Sequence, residues 1–580
     1  VDFDFSANDF PGKIHPEGFK FLTNFKIAPF PTWTFEVEGV TIEKTVMMIY
    51  GENSTIVNYK FHIPNAETKV QFRLKPLLAF RDYHHLQHET VDLNNEFQIE
   101  EKFVSTQPLA EMPRLFLNFE NAKVEKTGFW HKNFVYYLEK ERGFDFHEDL
   151  FQPFALTFDA NESNEISIIA STEVRAVSNS KSYFQAEIER RAKIVEISGF
   201  DNKLLQNLAL SADKFIVKRE NNRSIIAGYH WFSDWGRDAM IALPGLTLTT
   251  KRFDVARSIL LEFSNHISQG MLPNRFPDAG ETPEYNTVDA TLWFFEAVRA
   301  YVEATKDYDF VEKKLYEKLV EIIIWHLRGT RYNIHVDTDG LLFAGEENSQ
   351  LTWMDATSNG KSVTPRIGKA VEIQALWYNA LRVTEHFAEK FYDSSGQYQY
   401  NSIANLAELS FNQKFWNEES ECLFDCINAG QTDKSIRPNQ IFAVSLKNSM
   451  LSAEKARKVV QKVEKELLTP FGLRSLSPHD ENYCGVYEGD AAKRDAAYHQ
   501  GTVWAWLSGA YLTAYAKSFA DETDTKAKME AWLKTFKTHF ATAGIEEISE
   551  IFDGDAPHKA RGCIAQAWSV GEILRVEGLR

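Results

Sequence analysis

The chain has 580 residues, of which 44% are hydrophobic and 25% charged, the proportions of an ordinary globular protein. That length exceeds one ordinary core and calls for two domains. The formal net charge of −18, with no long basic run, excludes nucleic acid and anionic membrane as partners, because binding phosphate needs clustered Lys and Arg. Four cysteines (Cys422, Cys426, Cys484, Cys563) are irregularly spaced, so neither a zinc site nor a disulfide framework is expected. Sparse cysteine fits a reducing, cytoplasmic setting. No apolar run approaches ~18 residues, so no membrane span is expected. The chain starts at Val1 rather than Met, which is compatible with a removed leader or a trimmed start.

Residues 1–185 read as β. Trp33 to Glu38 alternates, Glu38-Gly39 marks a turn, and 40–49 and 54–63 follow as strands split by Tyr50-Gly51-Glu52-Asn53. Runs at 69–74, 134–138 and 165–170 are further strands, and together they predict an antiparallel β-sandwich. A charged, helix-patterned stretch over 183–197 predicts a helical linker, placed at 186–200. From 201 to 580 the period is 3.6. Helices are predicted at 201–218, 237–249, 252–268, 287–305, 308–328, 368–391, 398–415, 438–447, 452–467, 499–518, 523–541 and 563–577.

The connections between these helices alternate. Those after even-numbered helices are mostly short, such as Lys251-Arg252. Those after odd-numbered helices are long or carry Trp, Asp, Glu, Arg, Asn and His. In a ring of antiparallel helix pairs, alternate gaps open at the same end. The pattern therefore predicts an all-α (α/α)6 barrel with one functional mouth.

Six constellations fall in those gaps. Trp235-Gly236-Arg237-Asp238 opens a helix, with Trp231 nearby. It reads either as a cap with a buried Arg–Asp pair or as a grip on sugar hydroxyls flanked by two indoles. Thr352-Trp353-Met354-Asp355 carries a carboxyl beside an indole. Desolvation would raise its pKa and suit a general acid, whereas a neighbouring cation would lower it. Glu546, Glu547, Glu550, Asp553 and Asp555 crowd the last gap, and most of such a run should be solvated. One of them, opposite Asp355, would complete the pair of carboxylates that glycoside hydrolysis needs. Tyr498-His499-Gln500-Gly501 is expected to begin a helix at the mouth, as are Arg437-Pro438-Asn439-Gln440 and Pro273-Asn274-Arg275-Phe276. The high aromatic share, 13% with 13 Trp, fits both a large core and stacking on sugar faces. No GxSxG elbow, P-loop, GxGxxG or HExxH is present.

The motifs FSDWGRDAMIALPGL (232–246), GMLPNRF (270–276), TWMDA (352–356), IRPNQ (436–440), CGVYEGD (484–490), YHQGTVWAW (498–506) and AQAWSVGEIL (565–574) resemble the glucosidase domain of glycogen debranching enzymes, the amylo-α-1,6-glucosidase family. PGKIHPEGFKFL (11–22), YGENSTIVNYKF (50–61) and PLLAFRDYHHL (76–86) resemble the β-rich N-terminal domain of its prokaryotic members. The resemblance implies an inverting hydrolase that releases glucose from α-1,6 branch points of a glycogen-type α-glucan or branched maltooligosaccharide, without cofactor or metal. It implies that Asp355 is the general acid. The base is implied to be a Glu some sixteen positions before Gln566, hence Glu550 rather than Glu547. Substrate contacts are expected from Trp231, Trp235, Arg237, Asp238, Asn274, Trp353, Arg437, Asn439, His499 and Gln500. An inverting pair should stand about 6.5–9.5 Å apart. The Gly-rich strand region that usually precedes the segment matching Phe10-Pro11-Gly12 is missing, so a truncated or divergent N-terminal domain is expected. With both domains assigned, the 4-α-glucanotransferase barrel of the eukaryotic enzyme is not expected. Another linkage cut by the same barrel, or a non-catalytic glucan-binding protein, are the competing expectations.

Overall fold

A computed structural model describes residues 1–65, 67–276, 282–520 and 525–577. The chain divides into two compact units, Val1–Lys193 and Ile194–Arg580, with the boundary inside the helix Ser180–Ser198.

The first unit is β-rich. An eight-stranded antiparallel sheet runs in the order Leu22–Lys26, Thr32–Val37, Val40–Met48, Ser54–His62, Glu165–Ser171, Leu115–Asn118, Phe103–Thr106, Phe97–Glu100. A second sheet is formed by Lys123–Val135, His147–Asp159 and Gln71–Leu74. The two sheets share a core: Ile42, Phe61, Ile166 and Ile168 of the first pack with Phe154, Leu156 and Phe158 of the second. The turn at Glu38-Gly39 has positive φ at both residues (46° and 80°), the geometry a tight hairpin requires.

Two expectations fail here. The run 134–138 is not a strand of its own. The long strand Lys123–Val135 ends there, and a short helix, Tyr137–Glu141, follows. The thirteen-residue strand His147–Asp159 was not expected. Its middle is buried on both faces, so alternation is lost, and Pro153 argues against a strand. The partner accommodates it by shifting register between Lys126 and Phe129, where Gly128 has φ 73°.

In the second unit, helices wrapped on nearly all sides alternate with helices buried on one side. Six of the helices among the described residues pack in a cycle: Gly236–Leu243, Asp289–Thr305, Val371–Lys390, Phe442–Ser445, Leu507–Ser518 and Ala567–Glu577, with the last against the first. Each residue of Gly236–Leu243 is buried, as a helix inside such a ring must be. Ala453–Leu467, by contrast, buries only Val459, Val460, Val463 and Leu467, one stripe at helical spacing.

Three predicted helix starts are corrected. Residues 499–506 form a turn and the strand Val503–Trp504, and the helix begins at Leu507. Ala565–Gln566 is a strand before the last helix. The segment 273–276 is extended, with Arg275 bridged to Trp235 and Glu284. In all three cases, backbone pairing to a neighbouring loop outcompetes the local helical pattern. Residues 523–524 of the eleventh predicted helix lie outside the described residues; the rest is split into Thr525–Leu533 and Phe536–Thr542.

Candidate active site

The connections from one side of the ring are tied together by short strands. A five-stranded sheet carries Val503–Trp504 beside Ile551–Phe552, which in turn pairs with Ala560–Arg561. Glu550 stands at the head of that hairpin. Gly228–Tyr229 pairs with Ala565–Gln566, joining the first connection to the last. Gly236 allows the first connection to meet the second: a Cβ there would stand 2.1 Å from the Pro273 carbonyl, and the Gly236 amide donates to Asn274 O at 2.8 Å.

Asp355 lies between two nitrogen bases. Arg237 Nη1 donates to its Oδ2 at 3.0 Å, and His499 Nε2 faces its Oδ1 at 3.9 Å. Burial pushes the Asp355 carboxyl up, but His499 and the Arg237 guanidinium outweigh it, and the net direction is down. The neighbouring donors, His499 and Arg237 together, therefore outweigh burial in the competition that sequence left open. The side chain is still 35% exposed, so it faces open space at the mouth.

Arg237 does not reach outward. It is buried, with Nε on both oxygens of Asp289 at 2.9 Å and Nη2 on Thr287 Oγ1 at 3.1 Å. Its neighbour Asp238 is buried too and accepts from Gln566 Nε2 at 3.1 Å. Burial lifts the Asp238 carboxyl to about 8; Arg237 lowers it, while the nearby charges of Glu550 and Asp355 raise it. Asp238, Asp355 and Glu550 thus share one electrostatic neighbourhood.

The acidic run of the last connection sorts itself by partner. Glu546 accepts from Asn207 at 2.6 Å. Glu547 is buried against Ser211 and Lys214. Asp553 accepts from Arg561 Nε at 3.1 Å and from the Tyr487 amide at 2.8 Å. Asp555 accepts from Tyr483 at 2.9 Å. Glu550 points into the neighbourhood of Asp355: Tyr498 Oη donates to its Oε1, and the Cys563 amide donates to Oε2 at 2.9 Å.

Behind Asp355 lies a buried network. Trp353 Nε1 donates to Asn439 Oδ1 at 2.7 Å, and Asn439 Nδ2 donates to Asp425 at 2.8 Å. Arg366 donates through Nε to Asp425 at 2.8 Å and through Nη2 to Glu372 at 2.6 Å. Trp353, Trp504, Trp506 and Trp568 stack edge and face through the core beneath the site. Most of that aromatic richness is therefore core packing.

The candidate binding residues fall into two groups. Trp231, Trp235 and Gln500 are partly exposed at the mouth. Arg437, Asn439, Trp353 and Asn274 are buried and have internal partners. Arg437 donates to the carbonyls of Ser475 (3.2 Å) and His499 (2.8 Å) and to Gln500 Oε1 (2.8 Å). Asn274 Nδ2 donates to Asn286 at 3.1 Å. His499 is buried, stacked on Trp504 at 5.1 Å, and burial holds its pKa down, so the ring is neutral near pH 7. Sequence reasoning passed over Tyr498, Asp289 and the Cys563 amide. Tyr498 was legible only as the neighbour of His499, and a backbone donor leaves no sequence signal.

A family described as amylo-alpha-1,6-glucosidase matches residues 210–575, and one described as glycogen debranching enzyme N terminal matches residues 1–167. The glycogen debranching enzyme of Saccharomyces cerevisiae is 28% identical over 393 residues, which is 52% of this chain and 26% of the yeast protein. The chain thus spans about a quarter of the length of that curated relative. A bacterial glucoamylase, solved in complex with acarbose, superposes with a TM-score of 0.58 at 13% identity, covering 94% of this chain and 82% of that one. It shares the α/α barrel fold. Among the described residues no helix is long and apolar enough to cross a membrane. The chain belongs to the glycogen debranching enzyme family and to its glycoside hydrolase, amylo-alpha-1,6-glucosidase part.

Proposed function

We propose that the chain is an inverting exo-glycosidase that releases glucose from α-1,6 branch points of a glycogen-type α-glucan, working at one mouth of an (α/α)6 barrel that follows a β-sandwich domain. Asp355 is the general acid and Glu550 the general base. The observation that carries this reading is the sorting of the last connection. Of its five carboxylates, Glu550 shares Asp238 and Tyr498 as neighbours with Asp355, while the others have structural partners.

In the bound state the sugar covers the exposed part of Asp355. Further desolvation raises its pKa, so the carboxyl takes up the proton that Arg237 and His499 disfavour in the open site. That proton passes to the glycosidic oxygen as the anomeric C–O bond breaks. Water attacks the anomeric carbon from the opposite face and gives its proton to Glu550, leaving β-glucose. Trp231 and Trp235 offer apolar faces for the ring, and Asp238, His499 and Gln500 offer polar contacts. Arg237, Arg437, Asn439, Trp353 and Asn274 act mostly by holding those groups. A cytoplasmic location fits the sparse, reduced cysteines.

The test is glucose release from a limit dextrin whose branches are single α-1,6 glucose stubs, run beside linear α-1,4 and α,α-1,1 substrates. The reading expects release from the stubs above all. No release from the stubs, or faster release from α-1,4 chains, would overturn the linkage assignment.

A further inference from the structure

Tyr498 and His499 are consecutive residues, yet one faces each carboxyl. The Tyr498 hydroxyl donates to Glu550 Oε1, and His499 Nε2 stands 3.9 Å from Asp355 Oδ1. Their backbone is pinned. Trp504 Nε1 donates to the Tyr498 carbonyl at 3.2 Å, and the Thr502 hydroxyl donates to the same oxygen. Arg437 Nη1 donates to the His499 carbonyl at 2.8 Å. The rings are clamped as well. His499 stacks on Trp504 at 13°, and Tyr498 lies between Trp504 (4.9 Å) and Tyr487 (5.6 Å). Both His499 nitrogens are buried and lack a hydrogen-bond partner in the chain, which leaves Asp355 as the facing acceptor.

We infer that Tyr498-His499 is a positioning dipeptide that sets the separation of Asp355 and Glu550. A stiff two-residue unit fixed at both carbonyls sets where its two rings stand, one bonded to Glu550 and one facing Asp355. Tyr498 also restricts the Glu550 rotamer and, as a donor, favours its ionised form. The Cys563 amide holds the other oxygen, so the carboxylate is fixed at two points. Arg437 on this view serves the dipeptide rather than the sugar. The inference rests on the reading of Asp355 and Glu550 as acid and base.

The experiment compares Tyr498→Phe, His499→Gln and the double variant with the parent chain, measuring kcat, KM and pH profiles on the stub dextrin. Tyr498→Phe keeps the ring stack and removes only the hydroxyl. It should lower kcat about ten- to a hundredfold, the loss of one hydrogen bond to a charged group. KM should stay within about threefold, because positioning acts on the transition state. The acidic limb of kcat should move to higher pH, since ionised Glu550 has lost a donor. His499→Gln should move the opposite, alkaline limb. The double variant should lose less than the product of the two single losses, because both break one alignment. A Tyr498→Phe chain with an unshifted acidic limb and only a raised KM would show a lining residue and overturn the inference. If His499→Gln does not fold, the limb shift of Tyr498→Phe decides alone. Glu550→Gln separates the two levels. If it is inactive while Tyr498→Phe behaves as the parent, the dipeptide inference fails and the acid–base reading stands. If it is fully active, the reading falls and the inference with it.

Discussion

Asp355 and Glu550 are both loop carboxylates at one mouth of the ring, but they are held by different physics. Asp355 is held by charge: Arg237 at 3.0 Å, with neutral His499 opposite. Glu550 accepts one hydrogen bond from a phenol and one from a backbone amide. The loop behind Asp355 rests on a buried ionic network, and the loop behind Glu550 rests on a β-hairpin. The difference teaches that residue type does not assign the role. A charge-held carboxyl changes its proton affinity when a ligand excludes water, because Coulomb and solvation terms are then out of balance. A carboxylate held by neutral hydrogen bonds keeps its orientation through the cycle.

The largest effects should come from removing either carboxylate. Asp355→Asn and Glu550→Gln should each lower kcat on the stub dextrin by about 10²–10⁴-fold. Glu547→Gln, three residues away and committed to Ser211 and Lys214, should leave kcat near the parent value. A kcat loss at Glu547 that matched the loss at Glu550 would erase the distinction.

Next comes the brace behind Asp355. Arg366→Met leaves the carboxylates of Glu372 and Asp425 buried without their cation. Breaking such a network costs about 3–5 kcal/mol. Thermal unfolding should show a drop of several degrees in Tm, with activity lost through the acid loop.

The smallest effect concerns Asp238. Its carboxyl keeps its proton in the folded state up to about pH 8, whereas an unfolded Asp ionises near pH 4. A raised carboxyl pKa means that the folded state is progressively disfavoured as pH rises between those values. Asp238→Asn mimics the protonated form and keeps an oxygen for Gln566 Nε2. Its Tm should match the parent near pH 4 and exceed it most above pH 8. A difference independent of pH would show that Asp238 is not titrating in that window.

Much of the helical unit was legible because packing alternates with position. Helices inside the ring bury most of their residues, outer ones carry one apolar stripe, and long polar connections recur on one side. The loop of Asp355 was legible as a candidate because Trp353 and Asp355 stand together in such a connection. Residues 499–506 misled because His, Trp and Ala spacing mimics a helix while Val503–Trp504 pairs with Gly472–Arg474 and Ile551–Phe552. The partners of Arg237 were hidden for the same reason. Asp289 and Thr287 are some fifty residues away, and only the meeting of two helix starts brings them together. Local pattern reports periodicity; it does not report which distant backbone or charge completes a site.

The central claim is that the two carboxylates act from opposite faces of the scissile bond. Proton NMR of the sugar at the first moments of release from an α-1,6 glucose stub tests it directly. The account predicts β-glucose that mutarotates afterwards; α-glucose as the first product would contradict it.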